Sequence, residues 1–397
     1  MKHLKIIFNA LNGVFFTLFC LSATPVAAQE DSTLLAMDSV EISLLTCQPH
    51  DEVYSLYGHT AIRWHDLRAG GYDLAFNYGV FNFNAPHFVA RFVFGITDYE
   101  LGAYPYPLFQ EEYRRFGSMV TEQVLNLTAE EKLRMYRELA TNLRPENRVY
   151  RYNYFYNNCT TKARDIIEQC INGKVEYAGR EDYTPSYREM VHSMTKNNPW
   201  SRFGNDLLLG IKADQTTTLR QQEFLPGNLL YDFDHARIYA NGNYRPLVSE
   251  RRLAVPAGVQ MIEKGFPLSP LACSLILLGI GLIIFLAEWR KKRSFVVWDV
   301  LLMLITGTIG IVLTLMIFSQ HPTVSLNLQI LLCNPLPFVY LWAVIRKRPT
   351  HYWLLTAILS VLFLIGSLFQ HYAEGIQVLA LCLLMQCYAN TKLKAGK

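Results

Sequence analysis

"YFYNNCTTKARDII", residues 154–167, sets one cysteine among asparagines and threonines just where an apolar stripe begins. Ala163, Ile166, Ile167, Cys170 and Ile171 fall on one face at helical spacing, and Gly173 supplies the stop. The preceding "YRYNYFYN" (150–157) reads as a strand. The pattern predicts a strand running into a helix, with Cys159 at or just before the first helical turn. Unpaired N–H groups and the helix dipole favour negative charge at that place, so a thiol there leans toward the nucleophilic thiolate.

Working outward, "VEISLLTC" (40–47) and "GHTAIRWHD" (58–66) read as strands, the second with Thr60, Ile62 and Trp64 alternating against His59, Ala61 and Arg63. "LRAGGYD" supplies a turn and "YDLAFNYGVFNF" returns as an antiparallel partner. With Arg63 opposite Leu74, position 59 sits across from Tyr78, so Asn77 and Tyr78 are the polar groups expected to approach His59. A slip of one residue decides which of them faces it. "LTAEEKLRMYRELATNL" is a helix with Thr128 as N-cap and Glu131 completing a capping box. Residues 174–268 carry mixed signals and are expected to form short helices and loops. Strands and helices in this succession make residues 29–265 an α+β domain.

The two ends differ in kind from this middle. Lys2 and Lys5, an apolar run and the small-residue end Val26-Ala27-Ala28 have the layout of a secretory signal, with cleavage expected after Ala28. From residue 266 onward the chain is greasy. Five stretches, about 269–288, 295–318, 328–345, 351–369 and 374–391, have the length that a hydrocarbon core requires. Arg290-Lys291-Lys292-Arg293, Arg346-Lys347-Arg348, Lys392 and Lys394 follow the first, third and fifth, while "SQHPTVSLNLQ" and "QHYAEG" carry no Lys or Arg. The positive-inside rule then puts the C-terminus in the cytoplasm and residues 29–268 outside. The net charge of +4 largely reflects these flanking clusters; no basic stripe for nucleic acid is present.

Of the eight cysteines, the exported domain keeps Cys47, Cys159 and Cys170, an odd number, so at least one is unpaired where disulfides are favoured. Cys159 and Cys170 at opposite ends of one helix would be about 16 Å apart, too far to bridge. An imidazole beside Cys159 can form a thiolate–imidazolium pair, and a third polar group can fix its tautomer. His59 is the candidate base and Asn77 the candidate orienter. The structural alternatives are a cysteine that packs and a histidine that hydrogen-bonds. No HExxH, CxxC, GxSxG or GxxxxGK[ST] motif is present. His59 and His65, six apart on a strand, stand some 20 Å from each other. No metal and no cofactor is expected. The aromatic-rich "FVARFVFGITDYELGAYPYPLF" (88–109) reads as core or as a membrane-facing surface, the latter preferred.

"SLLTCQPHDEVYSLYGHTAIR", "FNYGVFNF", "FGITDYELGAY", "YRYNYFYNNCTTKARDIIE", "PSYREMVHSMTK" and "QHPTVSLNLQILLCNPL" together resemble the Bacteroidota lipoprotein N-acyltransferase family, Lnb. The likeness covers essentially the whole chain after the signal. It implies a circularly permuted papain-like (NlpC/P60-like) domain, followed by an all-α bundle of five transmembrane helices in the bacterial inner membrane. The order, histidine first and cysteine 100 residues later, is similar to the permuted branch that includes lecithin–retinol acyltransferases, whose Asn-Cys nucleophile is matched by Asn158-Cys159. The resemblance implies that Cys159 takes an acyl chain from a phospholipid as a thioester, with His59 as base. The acceptor implied is the α-amine of an apolipoprotein's diacylglyceryl-cysteine. That branch often uses a second histidine where this chain offers Gly71, so Asn77 rests on hairpin geometry. His321 and Asn327 in one outer loop are expected to help shape lipid entry, or to be part of a solvated connector; His371 in the other has less to support it. The rivals are a cysteine amidase or peptidase acting on cell-wall peptides and a non-enzymatic membrane assembly factor.

Overall fold

A computed structural model of the chain describes residues 34–50, 55–81, 86–180, 183–260 and 265–392. The signal peptide expected over 1–28 lies outside them. Ten strands are described: β1 Val40–Cys47, β2 His59–Asp66, β3 Asp73–Val80, β4 Asp98–Pro105, β5 Val120–Leu125, β6 Val149–Arg151, β7 Lys174–Glu176, β8 Arg237–Ala240, β9 Asn243–Pro246 and β10 Val248–Val255. Seven form one antiparallel sheet in the order β10-β5-β1-β2-β3-β4-β6, and β7-β8-β9 form a small second sheet. The helices that position the site are α1 Phe88–Val93, α2 Tyr106–Arg115, α3 Ala129–Asn142, α4 Cys159–Cys170, α5 Tyr187–Met194, α6 Pro199–Leu208 and α7 Pro226–His235.

Alternation along the strands decides which helix covers which face. Ile42, Leu44, Ile62, Trp64, Phe76 and Tyr78 point to one side, where Met135 of α3, Ala163 and Ile167 of α4, and Leu229 and Phe233 of α7 bury them. Leu45, Cys47, Ala61 and Ala75 point to the other, under Tyr106, Phe109 and Tyr113 of α2. On that second face Arg63 is buried between Asp73 and Glu122, 2.8 and 2.9 Å away, and its guanidinium lies 3.6 Å from the Tyr106 ring. A buried guanidinium is tolerable because its charge is paired and its plane stacked. The capping box at Thr128 and Glu131 forms as predicted.

Three expectations are corrected. The β2–β3 register is Arg63 opposite Ala75, one residue from the pairing expected, because the turn through Gly70-Gly71 is longer by that one residue, with Asp66 facing Tyr72. Only Tyr150 and Arg151 of the "YRYNYFYN" stretch are strand, in β6; Asn153 and Asn157 then pair backbone to backbone and turn the chain into α4. Residues 174–268 contain four strands, and β10 completes the edge of the main sheet against β5.

After residue 265 the chain is helical: α8 Pro270–Lys291, α9 Val296–Ile317, a 3-10 turn Leu328–Leu331 with α10 Leu336–Ile345, α11 Tyr352–Gly366 and α12 Ile376–Lys392. Among the described residues three segments, Pro270–Lys291, Val296–Ile317 and Leu328–Ile345, are long and apolar enough to cross a membrane, and Tyr352–Gly366 is a shorter apolar helix. α12 carries Gln386 and Asn390 inward, where they donate to Glu288 and Asp299.

The two halves share a core. Phe155, Tyr187, Val191, Leu209 and Phe224 pack with Met316 at the end of α9 and Val324 in the turn after it. Around it, Gly210 and Ile211 donate backbone N–H groups to Thr323 and Leu326 carbonyls. Arg188, 2% exposed, is clamped by Asp206 and Asp214 and by the carbonyls of Leu209 and Gly210.

Candidate active site

Cys159 is the first residue of α4, and Asn158 is its N-cap. The Asn158 carboxamide oxygen accepts from the N–H groups of Thr160 and Thr161 at 3.0 and 2.9 Å, while its nitrogen donates to the Tyr154 and Phe224 carbonyls. All four bonds fix the turn that presents the thiol. The cap takes up the amides of residues 160 and 161, leaving the Cys159 N–H outside it.

The sheet brings His59 to the same place. Thr60, on β2, donates through its hydroxyl to the Thr160 hydroxyl at 3.1 Å, and neither residue is exposed at all. This contact ties the histidine strand to the cysteine helix one residue from each reactive side chain. Thr160 Oγ1 also lies 3.8 Å from Cys159 Sγ. Burial pushes the Cys159 thiol up, but the His59 charge and hydrogen bond, with help from the Thr60 backbone N–H and the Thr160 hydroxyl, bring it down to about 7. Burial acts to lower His59; the charge and hydrogen bond of Cys159 and a hydrogen bond that the ring donates to Asn77 outweigh it, and its pKa is raised. Each group thus favours the charged form of the other.

Asn77 reaches the imidazole because of the corrected register. With Arg63 opposite Ala75, residues 75, 77 and 79 share the face of His59, and Tyr78 turns into the core. A bulge between Asn77 and Val80 bends β3, and Asn77 Oδ1 accepts from the Gly79 N–H at 2.7 Å. Gly79 itself leaves room for the ring: a Cβ there would stand 2.7 Å from His59 Cε1. On α2, Glu112 is near enough to feel the His59 charge, and burial raises its carboxyl. Tyr99, Tyr152 and Tyr154 are near enough to feel the charge of the thiol.

The remaining candidates scatter. Cys47 is the residue paired with His59 across β1 and β2, but burial pushes its thiol up. It borders a cavity of about 120 Å³ with Tyr57, Ser193, Pro226 and Asn228. Cys170, at the far end of α4, is pushed up to about 11 by burial. Gly71 lies in the hairpin turn against Asp66, at the opposite end of β2 from His59. His321 rests against Phe92, and Asn327 donates to the Leu207 carbonyl as part of the seam between the halves. His371 pairs with Asp214 at 3.1 Å. Among the described residues no group of three metal-ligating side chains occurs. Sequence reasoning missed Thr60, Thr160 and Gly79; only the repetition of threonine after both His59 and Cys159 hints at them.

A mixed α/β domain with a buried thiol near a histidine, joined to apolar helices, is the architecture of a membrane protein with a folded domain outside the bilayer. Models of the Lnb N-terminal periplasmic domain and the Lnb transmembrane domain match residues 31–193 and 261–397, and the chain belongs to the Lnb family. No curated protein and no solved structure matches it. Residues 194–260, between the two matches, supply α6, α7 and strands β8 to β10.

Proposed function

We propose that this protein is a lipoprotein N-acyltransferase that works through a thioester on Cys159. The observation that carries the reading is the thiol held at about 7 beside His59, in a domain whose core is continuous with the apolar helices. In the first half-reaction the Cys159 thiolate attacks an ester carbonyl of a membrane phospholipid. The carbon–oxygen bond breaks, and the imidazolium of His59 gives its proton to the departing glycerol oxygen, leaving a lysophospholipid. In the second, the α-amine of a diacylglyceryl-cysteine attacks the thioester, His59 takes the amine proton, and the thiolate departs. Asn77 holds the imidazole, and the Cys159 N–H meets the oxyanion. Thiol chemistry of this kind uses no cofactor.

The same reading treats residues 29–265 as a permuted papain-like domain, supported by the order of His59 and Cys159 and by the cap at Asn158. It treats residues 266–397 as five membrane passes, with α11 and α12 completing the three longer segments, the basic turns in the cytoplasm and a signal peptide removed after Ala28. The turns at 318–327 and 367–375 support this polarity, because both meet the exported half while Arg290, Arg346 and Lys392 stand at the other ends of the helices. The test is intact-mass spectrometry of the purified full chain after incubation with labelled phospholipid. An acyl adduct on Cys159 that an added diacylated lipopeptide discharges is the expected result; an active preparation without any adduct would sink the thioester.

A further inference from the structure

Tyr57 stands where three parts of the molecule meet. Its hydroxyl accepts from the Asn205 side-chain nitrogen of α6 at 2.8 Å. Its ring meets Tyr154 edge-on at 4.9 Å between centroids, and the Tyr154 carbonyl is one of the two that hold the Asn158 cap, at 3.0 Å. Along the chain Tyr57 lies two residues before His59. Gly58, the one residue between them, is so close to the Cys47 carbonyl that a Cβ would stand 2.6 Å from the oxygen, so the link has no slack.

α6 in turn is held from the membrane half. The last carbonyls of a helix have no partner within it. Here the Asp206 carbonyl accepts from the Gln329 amide at 2.9 Å, that of Leu207 from Asn327 at 2.8 Å, and that of Leu209 from Gln370 at 3.1 Å. None of these three amides is more than 8% exposed, and Asn327 Oδ1 accepts from both Gln329 and Gln370, so they act as one cap. Asn205 immediately precedes the first carbonyl so capped. Tyr57, Tyr154 and Leu208 pack on the core that the two halves share.

For packing alone, phenylalanine would serve as well as tyrosine. A half-buried hydroxyl needs a partner, and this one finds it on an element 148 residues away. The ring is thus fixed at its tip by α6, at its edge by the turn that presents Cys159, and at its backbone by the lead into the His59 strand. Such fixing matters because a misplacement of about 1 Å between reacting groups can cost on the order of a hundredfold in rate.

We propose that Tyr57 is a positioning residue: held by Asn205, it sets His59 against Cys159, and through α6 it makes that setting depend on the membrane half. This rests on the His59–Cys159 pair of the acyl-transfer reading above, and it adds what aligns the pair.

The test uses the full chain in detergent. Tyr57→Phe removes one oxygen and keeps the ring; Asn205→Ala removes its partner. Each should lower the maximal rate of Cys159 acylation by p-nitrophenyl acetate about three- to tenfold, the worth of one hydrogen bond, with KM little changed. Each should also raise the pH midpoint of Cys159 alkylation by iodoacetamide, because the His59 charge that lowers it moves away. The double variant should be no worse than either single one, since both cut the same link. Gln329→Met uncaps α6 from the membrane side; it should raise the midpoint by itself and add nothing to Asn205→Ala. Lowered melting temperatures with unmoved midpoints and rates would make Tyr57 a packing residue and overturn the proposal, and a midpoint that Gln329→Met leaves in place overturns the dependence on the membrane half. Moved midpoints without any acyl adduct from phospholipid would retain the positioning and sink the transfer chemistry. An adduct with unmoved midpoints would do the reverse.

Discussion

At Cys159 the contest is between burial, which opposes the thiolate, and three groups that favour it, His59, Thr60 and Thr160. His59 supplies most of the favourable part through charge and a hydrogen bond. In the wild type, alkylation of Cys159 by iodoacetamide should therefore rise through a midpoint at about 7. In His59→Ala burial keeps acting while the main attraction is gone, so the midpoint should move up toward or beyond the ordinary thiol value of 9.0; an unchanged midpoint would show that His59 does not set the thiolate. Asn158→Asp tests the cap. The aspartate still accepts from the two amides, but it loses the bonds to Tyr154 and Phe224 and brings a negative charge beside the sulfur. The midpoint should rise, and the melting temperature should fall by the equivalent of about 1–3 kcal/mol from the two stranded carbonyls. Cys159 and His59 were legible because each sits at a place set by local pattern, a helix start and a strand end. Thr60 and Thr160 were not, since a hydroxyl pair that joins two elements has no signature within either.

At the scale of elements, one residue of register decides the site. The hairpin was readable from its alternation, but its offset depends on the turn at Gly70-Gly71, and with the expected offset Tyr78 rather than Gly79 would have stood opposite His59. Gly79→Ala is the sharpest check. The new methyl would meet the imidazole at 2.7 Å, so the ring must swing from Cys159. Thioester formation should drop by one to two orders of magnitude, roughly what 2 kcal/mol of misplacement costs, while circular dichroism stays native. Retained activity would mean the ring has another way to reach the sulfur. The strands of the last part of the domain show the opposite kind of difficulty. Asn241-Gly242, both at positive φ, is a hairpin turn of the kind two-residue loops use, and that signal was present in the sequence. β10, "VSERRLAV", hid because an edge strand carries its charges on exposed positions, which blunts the apolar alternation that marks a strand.

For the whole molecule, the apolar periodicity and the basic turns made the membrane half legible, while the seam between the halves was not, because it is built from residues more than 100 positions apart. Phe155, Tyr187 and Phe224 pack on Met316 and Val324, so deleting 266–397 should uncover this cluster. The truncated domain is expected to aggregate without detergent and to form no thioester from phospholipid vesicles; full activity in water would favour a cell-wall amidase instead. Arg188→Met should be costlier than any surface charge change. It leaves Asp206 and Asp214 without their guanidinium, and a loss of about 3–5 kcal/mol is expected, read as a lowered melting temperature in detergent.

The short backbone pairing of Gly210 and Ile211 with Thr323 and Leu326 has a consequence in time. Gly210 lies so close to the Leu326 carbonyl that a Cβ would stand 2.1 Å from the oxygen, so the fit admits no looser version of itself. Under the topology proposed above, residues 320–327 would reach the outer side only after α9 had been threaded through the bilayer, by which time residues 34–260 would already have been exported. The exported half would then wait, unfinished at that edge, until synthesis of the membrane half delivered its last pieces. A protein assembled in this order completes its junction only after it is anchored in the membrane that holds its lipids.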